Sequence, residues 1–126
     1  MSIVTFFTYP SCTSCRKTKK WLSTHSVKVQ ERHLFRETPT RSELFTLLSM
    51  TSEGVDELLA TRSSTFKSLN IDIDDMPLSH VVDLLINEPK LLRRPILTDG
   101  KTLVVGYNPE KLRSLTNKKQ IMKFTG

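Results

Sequence analysis

The chain of 126 residues is long enough for one folded domain, and its 37% hydrophobic and 25% charged residues favour a soluble globular protein over a disordered one. It contains no apolar run of about 18 residues, which excludes a membrane-spanning helix. The first ten residues show neither the basic segment nor the apolar segment of a secretion signal. We therefore expect a cytoplasmic protein without membrane association.

The net charge of +6 is unevenly distributed along the chain. Between Glu43 and Asp83 there are eight acidic and two basic residues, whereas the rest of the chain carries seventeen basic and five acidic ones. This asymmetry predicts a basic surface suited to acidic partners or nucleic acid, and an acidic surface suited to basic partners. An ordinary solvated surface with accidental asymmetry is the alternative.

The N-terminal third predicts a strand, a helix and a second strand. Residues 3–8 (IVTFFT) are β-branched and aromatic, as in a buried strand. After the break at 9–11, residues 13–26 follow a helical pattern, and residues 27–34 alternate as a strand parallel to the first. The inner face of the helix is predicted to contain Cys15, Thr18, Trp21, Leu22 and His25, with Trp21 in the core. The scattered histidines His25, His33 and His80 are expected to have no functional role.

The middle of the chain, from Pro39 to Pro89, predicts a mostly helical insertion. A helix through 44–48 comes first, and after an interruption at Gly54 another helix begins at Val55. A short helical turn at 66–69, an acidic loop over Asp72–Asp75 and a helix through 78–85 follow.

The C-terminal part predicts a β-hairpin followed by a helix. Strands over 95–98 and 102–105 flank an Asp99-Gly100 turn. Asn108 and Pro109 then provide the cap and the first position of a helix, and the final KKQIMKFTG is expected to fray. The whole order predicts an α/β fold in one domain. A thioredoxin-like core (β-α-β … β-β-α) at about 1–38 and 90–117 carries a helical acidic lobe at about 39–89.

The two cysteines, Cys12 and Cys15, form a single C-x-x-C at the predicted strand-to-helix turn. With no other cysteine and no nearby histidine pair, the chain offers no four-ligand zinc site, and we expect neither a metal nor a cofactor. The helix dipole, with Arg16 and Lys17 one turn on, favours the thiolate of Cys12, which Cys15 could join in a reversible disulfide. The alternative is a pair of small buried hydrophobic residues.

Three segments together carry a family resemblance: YPSCTSCRKTKKWL, TRSSTFKSLN and LLRRPILTDGKTLVVGYN. They resemble the Spx branch of the arsenate-reductase-like family over about residues 3 to 115. The phrase ERHLFRETPT and the short tail are most similar to a stress-response paralogue in that branch. The resemblance implies a regulator that binds the C-terminal domain of the RNA polymerase α subunit, in which the oxidation state of Cys12 and Cys15 controls transcription.

The resemblance also implies where partners bind. In Spx proteins, the glycine that matches Gly54 lies in the α-subunit interface. A helix C-cap is the commoner use of such a glycine. The candidate α-subunit contacts are Gly54, Glu53, Asp56, Glu57 and Arg62. Spx regulators are also targets of a protease and its adaptor, but the tail ending Phe124-Thr125-Gly126 departs from the usual Spx ending.

Arg94 and Pro95 are predicted to support the redox site. Thioredoxin-like folds carry a cis-proline beside C-x-x-C, and Pro95 occupies that position. Arg94 could then reach the sulfur atoms; a surface salt bridge is its alternative role.

Arsenate reductase is the alternative function, together with a general thiol oxidoreductase. Cys12, Arg62 and Arg94 match positions of the arsenate enzyme, but Val104-Val105-Gly106-Tyr107 stands where that enzyme has a third arginine. A tetrahedral dianion needs several charge-assisted donors, so this loss favours the regulator.

A basic group on the first helix, Arg16, Lys17, Lys19 and Lys20, is a candidate for contact with promoter phosphates, as are Lys118 and Lys119. No helix-turn-helix or zinc finger is present in the sequence, so DNA contact is expected to be weak or indirect, through polymerase.

Overall fold

The computed structural model describes residues 3–52 and 54–115. The chain forms two compact units, one made of the segments up to Arg32 and from Arg94 onward, the other of His33–Arg93. Glu53, Lys118, Lys119 and the predicted frayed tail lie outside the described residues.

The first unit is built on a four-stranded sheet of order β2-β1-β3-β4. The strands are β1 (Val4–Thr8), β2 (Val29–His33), β3 (Ile96–Thr98) and β4 (Leu103–Val105). β3 pairs antiparallel with both β1 and β4, with Phe6 opposite Leu97 and Leu97 opposite Val104. β2 lies beside β1, and the helix α1 (Thr13–Thr24) connects them. The predicted strands and first helix are confirmed, each shorter than expected by a few residues at most.

A hydrophobic cluster packs α1 and the helix over residues 109–115 against this sheet. Its buried members are Val4, Phe6, Leu22, Val27, Leu97, Val104, Leu112 and Leu115, with Trp21 and Val29 packed against them. Because strands expose alternate side chains to one face and helices every third or fourth, these distant residues meet in one layer. Trp21 packs against this cluster as predicted, although it is only partly buried, whereas His25, predicted on the inner face, is exposed.

Local hydrogen bonds explain the C-terminal elements. Asp99 Oδ1 accepts from the backbone N–H groups of Lys101 and Thr102, and Gly100 takes a φ of +95°, so the β3–β4 connection closes as predicted. The side chain of Asn108 accepts from Lys111 N at 3.2 Å, which caps a helix over 109–115 that we label α5.

The second unit contains three helices, α2 (Arg41–Ser49), α3 (Ser64–Leu69) and α4 (Leu78–Asn87). Its buried leucines include Leu44, Leu47, Leu58, Leu59, Leu85 and Leu91. The helix predicted to begin at Val55 is instead a short 3-10 helix, Gly54–Leu58, and the acidic loop contains another, Ile73–Asp75. Within the described residues, no helix has the length and apolar character needed to cross a membrane.

The second unit is further held by polar contacts at the start of α2. Thr40 accepts from Glu43 N at 3.1 Å through its hydroxyl, while Glu43 Oε1 accepts from Thr40 N at 2.9 Å. This reciprocal pair is a capping box, which satisfies two backbone donors that would otherwise lack a helical partner. Arg41, the next residue, forms an ion pair with Asp83 of α4.

We expect Thr40→Ala to destabilise the protein by about 1 kcal/mol, because it removes the side-chain acceptor of this N-cap. Urea unfolding followed by circular dichroism measures the change. Thr40→Ser keeps the hydroxyl and serves as the matched control, with stability near that of the wild type. Equal stability of the alanine variant and the wild type would show that the capping box contributes nothing.

Candidate redox site and docking surface

Cys12 occupies the N-cap position of α1, directly after the turn that follows β1. Its backbone is extended, with φ −88° and ψ 122°, and its Sγ accepts a hydrogen bond from Cys15 N at 3.3 Å. A sulfur atom here takes the place of the oxygen that usually caps a helix. The amide and the positive end of the helix dipole both favour negative charge on that sulfur. The thiol is free and half-buried, so small oxidants can reach it.

Cys15 lies one turn further along α1 and is 1% exposed. Burial, with a hydrogen bond to the Cys12 side chain, raises the pKa of Cys15 to about 11. Burial acts in this direction because a buried site solvates the thiolate poorly, and the hydrogen bond stabilises the neutral thiol. At neutral pH Cys15 is therefore a protonated thiol held beside Cys12, and the two cysteines differ in accessibility.

Pro95 precedes β3, and the Arg94–Pro95 peptide bond is cis, as the sequence predicted. The proline is buried, and its carbonyl oxygen accepts from Gly106 N at 2.8 Å. Arg94 is half-buried and interacts with other residues, and the preceding Arg93 is exposed. The role of Arg94 at the thiols stays a prediction.

The basic residues of α1 are exposed, as expected, but they are not equivalent. Lys19 forms an ion pair with Glu31 of β2 at 3.4 Å. Lys17 and Lys20 instead border a shallow groove of about 250 Å³ whose other lining residues are Trp21, Thr24, His25 and Tyr107. Arg16 is exposed beside this groove without lining it.

Sequence reasoning missed the aromatic part of this groove. The rings of Trp21 and His25 are stacked, with centroids 3.8 Å apart and planes inclined by 14°. Their spacing of four residues on a predicted helix was the available signal, because such residues are neighbours on the helix surface. Tyr107 had no local signal, since it reaches the groove from the turn after β4.

The predicted docking residues form an exposed segment of the second unit. Gly54 is exposed and has a φ of +83°, and a Cβ atom added there would meet nothing within 4 Å. It starts the 3-10 helix and is not the C-cap of α2, a position that Met50 occupies. Asp56 is exposed, and the half-buried Glu57 accepts from Ser52 Oγ at 3.4 Å.

Backbone hydrogen bonds connect the end of this segment to residues 91–93. Arg93 N donates to Leu58 O at 2.8 Å, and Ala60 N donates to Leu91 O at 2.7 Å. These bonds anchor the C-terminal end of the segment Gly54–Leu58, which we call the acidic segment. Arg62 follows in an exposed turn, and Glu53 lies outside the described residues. Among the described residues, no three His, Cys, Asp or Glu side chains are grouped to hold a metal ion.

Comparison with known proteins shows the family to which this sequence is similar. The ArsC family matches residues 7–115. The regulatory protein MgsR of Bacillus subtilis is 62% identical over 118 residues, which are 94% of each chain. The global transcriptional regulator Spx of Staphylococcus aureus is 47% identical over 117 residues, covering 93% of this chain and 89% of that protein.

Solved structures show the same fold. An ArsC family related protein from Bacteroides fragilis superposes with a TM-score of 0.82 at 27% identity, covering 89% of this chain and 96% of the other. Its likeness confirms the predicted α/β, thioredoxin-like architecture. Since the family match spans most of the chain and a named regulator reaches 62% identity, the protein belongs to the ArsC family and, within it, to the group of Spx- and MgsR-like regulators.

Proposed function

We propose that this regulator is a cytoplasmic, redox-responsive protein of the stress response that binds the C-terminal domain of the RNA polymerase α subunit. The observation that carries the proposal is the asymmetric thiol pair, with an accessible Cys12 capping α1 and a buried Cys15 one turn away. Membership in the Spx/MgsR group supports the transcriptional role. Promoter DNA is reached chiefly through polymerase.

The two thiols support a balanced oxidation cycle. The Cys12 thiolate attacks hydrogen peroxide, which transfers one oxygen atom and releases hydroxide, so that Cys12 becomes a sulfenic acid. Cys15 then attacks the Cys12 sulfur, the S–O bond breaks, and the proton of Cys15 leaves with the oxygen as water. A cellular dithiol restores both thiols by exchange. The thiol pair needs neither metal nor cofactor for this cycle.

The acidic segment is the proposed docking surface for the α subunit. It combines exposed negative charge with a glycine whose missing side chain leaves open space above the backbone. Open space above the backbone at Gly54 lets a partner surface approach closely, and the carboxylates of Asp56 and Glu57 can face basic residues of that partner. Arg62 and Glu53 belong to the same proposed surface.

Arsenate reduction is the less favoured function for this member of the ArsC family. Three residues at the end of β4 and in the following turn, Val105, Gly106 and Tyr107, offer no cationic side chain for an oxyanion. A reductase without that donor would lose a large part of its transition-state stabilisation. A regulator needs only the reversible thiol chemistry.

Alkylation of the reduced protein should modify Cys12 before Cys15. Because burial holds the pKa of Cys15 near 11, its reaction with iodoacetamide should stay slow at neutral pH and accelerate as the pH rises toward 11. Tandem mass spectrometry of the peptide containing both residues measures the order. After diamide treatment neither cysteine should react, since both are joined in one intramolecular disulfide. Equal alkylation of the two at neutral pH, or disulfide-linked dimers alone, would contradict the assignment.

Gly54→Arg should abolish capture of the α C-terminal domain in a pull-down, because its side chain projects into the proposed interface. The positive φ strains any non-glycine residue by about 1–2 kcal/mol, so Gly54→Ala is the matched control for backbone strain. The alanine variant should retain most binding, and circular dichroism should show both variants folded. Undiminished binding by a folded Gly54→Arg protein would place the interface elsewhere.

Arg94→Ala should leave α-subunit binding intact but slow the reaction of Cys12 with peroxide and weaken redox control. The loss of a guanidinium near a thiolate removes a stabilising charge. The measurements are the rate of Cys12 oxidation and in-vitro transcription with reduced and oxidised protein. Arg93→Ala removes the same charge from the exposed neighbour and should change neither. If the two variants behave alike, Arg94 is an ordinary surface charge.

A further inference from the structure

The side of α1 that does not pack on the sheet carries lysine and aromatic side chains that the packing of the helix does not require. The inner face is buried through Cys15, Thr18 and Leu22. A second row of side chains, of which only Trp21 packs against the core, forms the groove described above together with one residue from beyond β4. The lining residues of this α1 groove are Lys17, Lys20, Trp21, Thr24, His25 and Tyr107. All of them belong to the first unit, so the groove is complete within it.

The aromatic wall of the α1 groove is preformed. Trp21 packs its inner edge on the hydrophobic cluster and stacks its ring on His25. The carbonyl oxygen of Trp21 can only accept a hydrogen bond, so the His25 Nδ1 at 2.8 Å donates to it. This bond fixes the orientation of the His25 ring, and in this tautomer Nε2 is an acceptor.

The backbone that precedes Tyr107, the groove residue from beyond β4, is held by a hydrogen bond. The preceding Gly106 has a φ of +77° and donates its N–H to Pro95 O at 2.8 Å. The tyrosine side chain is 40% exposed although it is large and aromatic. An exposed ring with a polar tip, fixed beside two lysines, is a group available for recognition.

The charge of the α1 groove selects an anionic ligand. No acidic residue lines it, and within the described part of the chain neither Lys17 nor Lys20 forms an ion pair. Their neighbour Lys19, by contrast, is already paired with Glu31. Four of the six lining side chains, those of Lys17, Lys20, Thr24 and Tyr107, are donors of the kinds that contact DNA phosphates.

We propose that the α1 groove binds the sugar-phosphate backbone of duplex DNA, with Lys17 and Lys20 on phosphates and Tyr107 at the rim. The groove is shallow and open, which suits a continuous polyanion lying across it rather than an enclosed small molecule. Two lysine contacts give weak binding independent of base sequence. This inference deepens the proposed function, since it supplies the DNA contact of a regulator recruited by polymerase.

The intrinsic fluorescence of Trp21 can be used to test DNA binding in the α1 groove. Trp21 is the one tryptophan of the chain, so its fluorescence responds to occupancy of the α1 groove. A short duplex of random sequence, titrated into the reduced full-length protein, should change that fluorescence. The apparent affinity should fall steeply between 50 mM and 200 mM salt as bound counterions are released.

The double variant Lys17→Ala/Lys20→Ala tests the contacts. It should lower the slope of log affinity against log salt by about one for each lysine removed and reduce affinity at low salt at least tenfold. Lys28→Ala/Lys101→Ala removes the same charge from exposed positions outside the groove and should retain the wild-type slope. Tyr107→Phe, which keeps the ring and removes the hydroxyl, should weaken binding several-fold. Circular dichroism verifies folding.

Three outcomes would overturn the inference. The first is DNA binding without a change in Trp21 fluorescence, and the second is equal loss in the two double variants. The third is tighter binding of poly-glutamate than of DNA, which would assign the groove to an acidic protein. The α-subunit pull-down with the groove variant separates the two proposals. Intact capture by the groove variant with unchanged DNA binding rejects only the groove, and undiminished capture by Gly54→Arg rejects only the docking surface.

Discussion

The burial of one face of α1 against the sheet is the constraint on which the functional features of the first unit depend. Leu22 enters the hydrophobic cluster with Phe6 and Val104, and Thr18 is fully buried with its hydroxyl donating to Ser14 O at 2.8 Å. With the inner face fixed in this way, helical geometry decides the rest. The cap sulfur lies at the exposed end of the helix, and the lysines and the Trp21–His25 stack line its outer face.

Two cysteines with the same intrinsic chemistry acquire different properties from this one packing arrangement. Cys12 lies before the first turn, where amide groups and the helix dipole favour negative charge, and remains accessible. Cys15 lies inside that turn, where the absence of water keeps its thiol protonated. The thiol proposed to sense oxidants and the thiol proposed to resolve the sulfenic acid are therefore distinguished by a displacement of a single helical turn.

The sequence alone predicted the elements whose causes are local. Apolar periodicity predicted β1, α1 and α4, the Asp99-Gly100 pair predicted the hairpin, and Asn108 predicted the start of the last helix. Each signal lies within a few residues of the structure it specifies, as capping and turn chemistry require. The capping box at α2 was not predicted, although Thr40 and Glu43 have the diagnostic spacing. The helix type predicted for the segment after Gly54 was wrong. This segment is a 3-10 helix of five residues, which is too short to show an apolar period that differs from that of an α-helix.

The sequence by itself thus determined the α/β fold, the C-x-x-C at a helix start and the division into basic and acidic segments. Only the tertiary structure decided the strand order, the different burial of Cys12 and Cys15, and the assembly of the α1 groove. Tyr107 joins Trp21 because β3 and β4 bring the far end of the chain beside α1. Exposure and proximity depend on residues distant in the chain, whereas periodicity, caps and turns depend on neighbours.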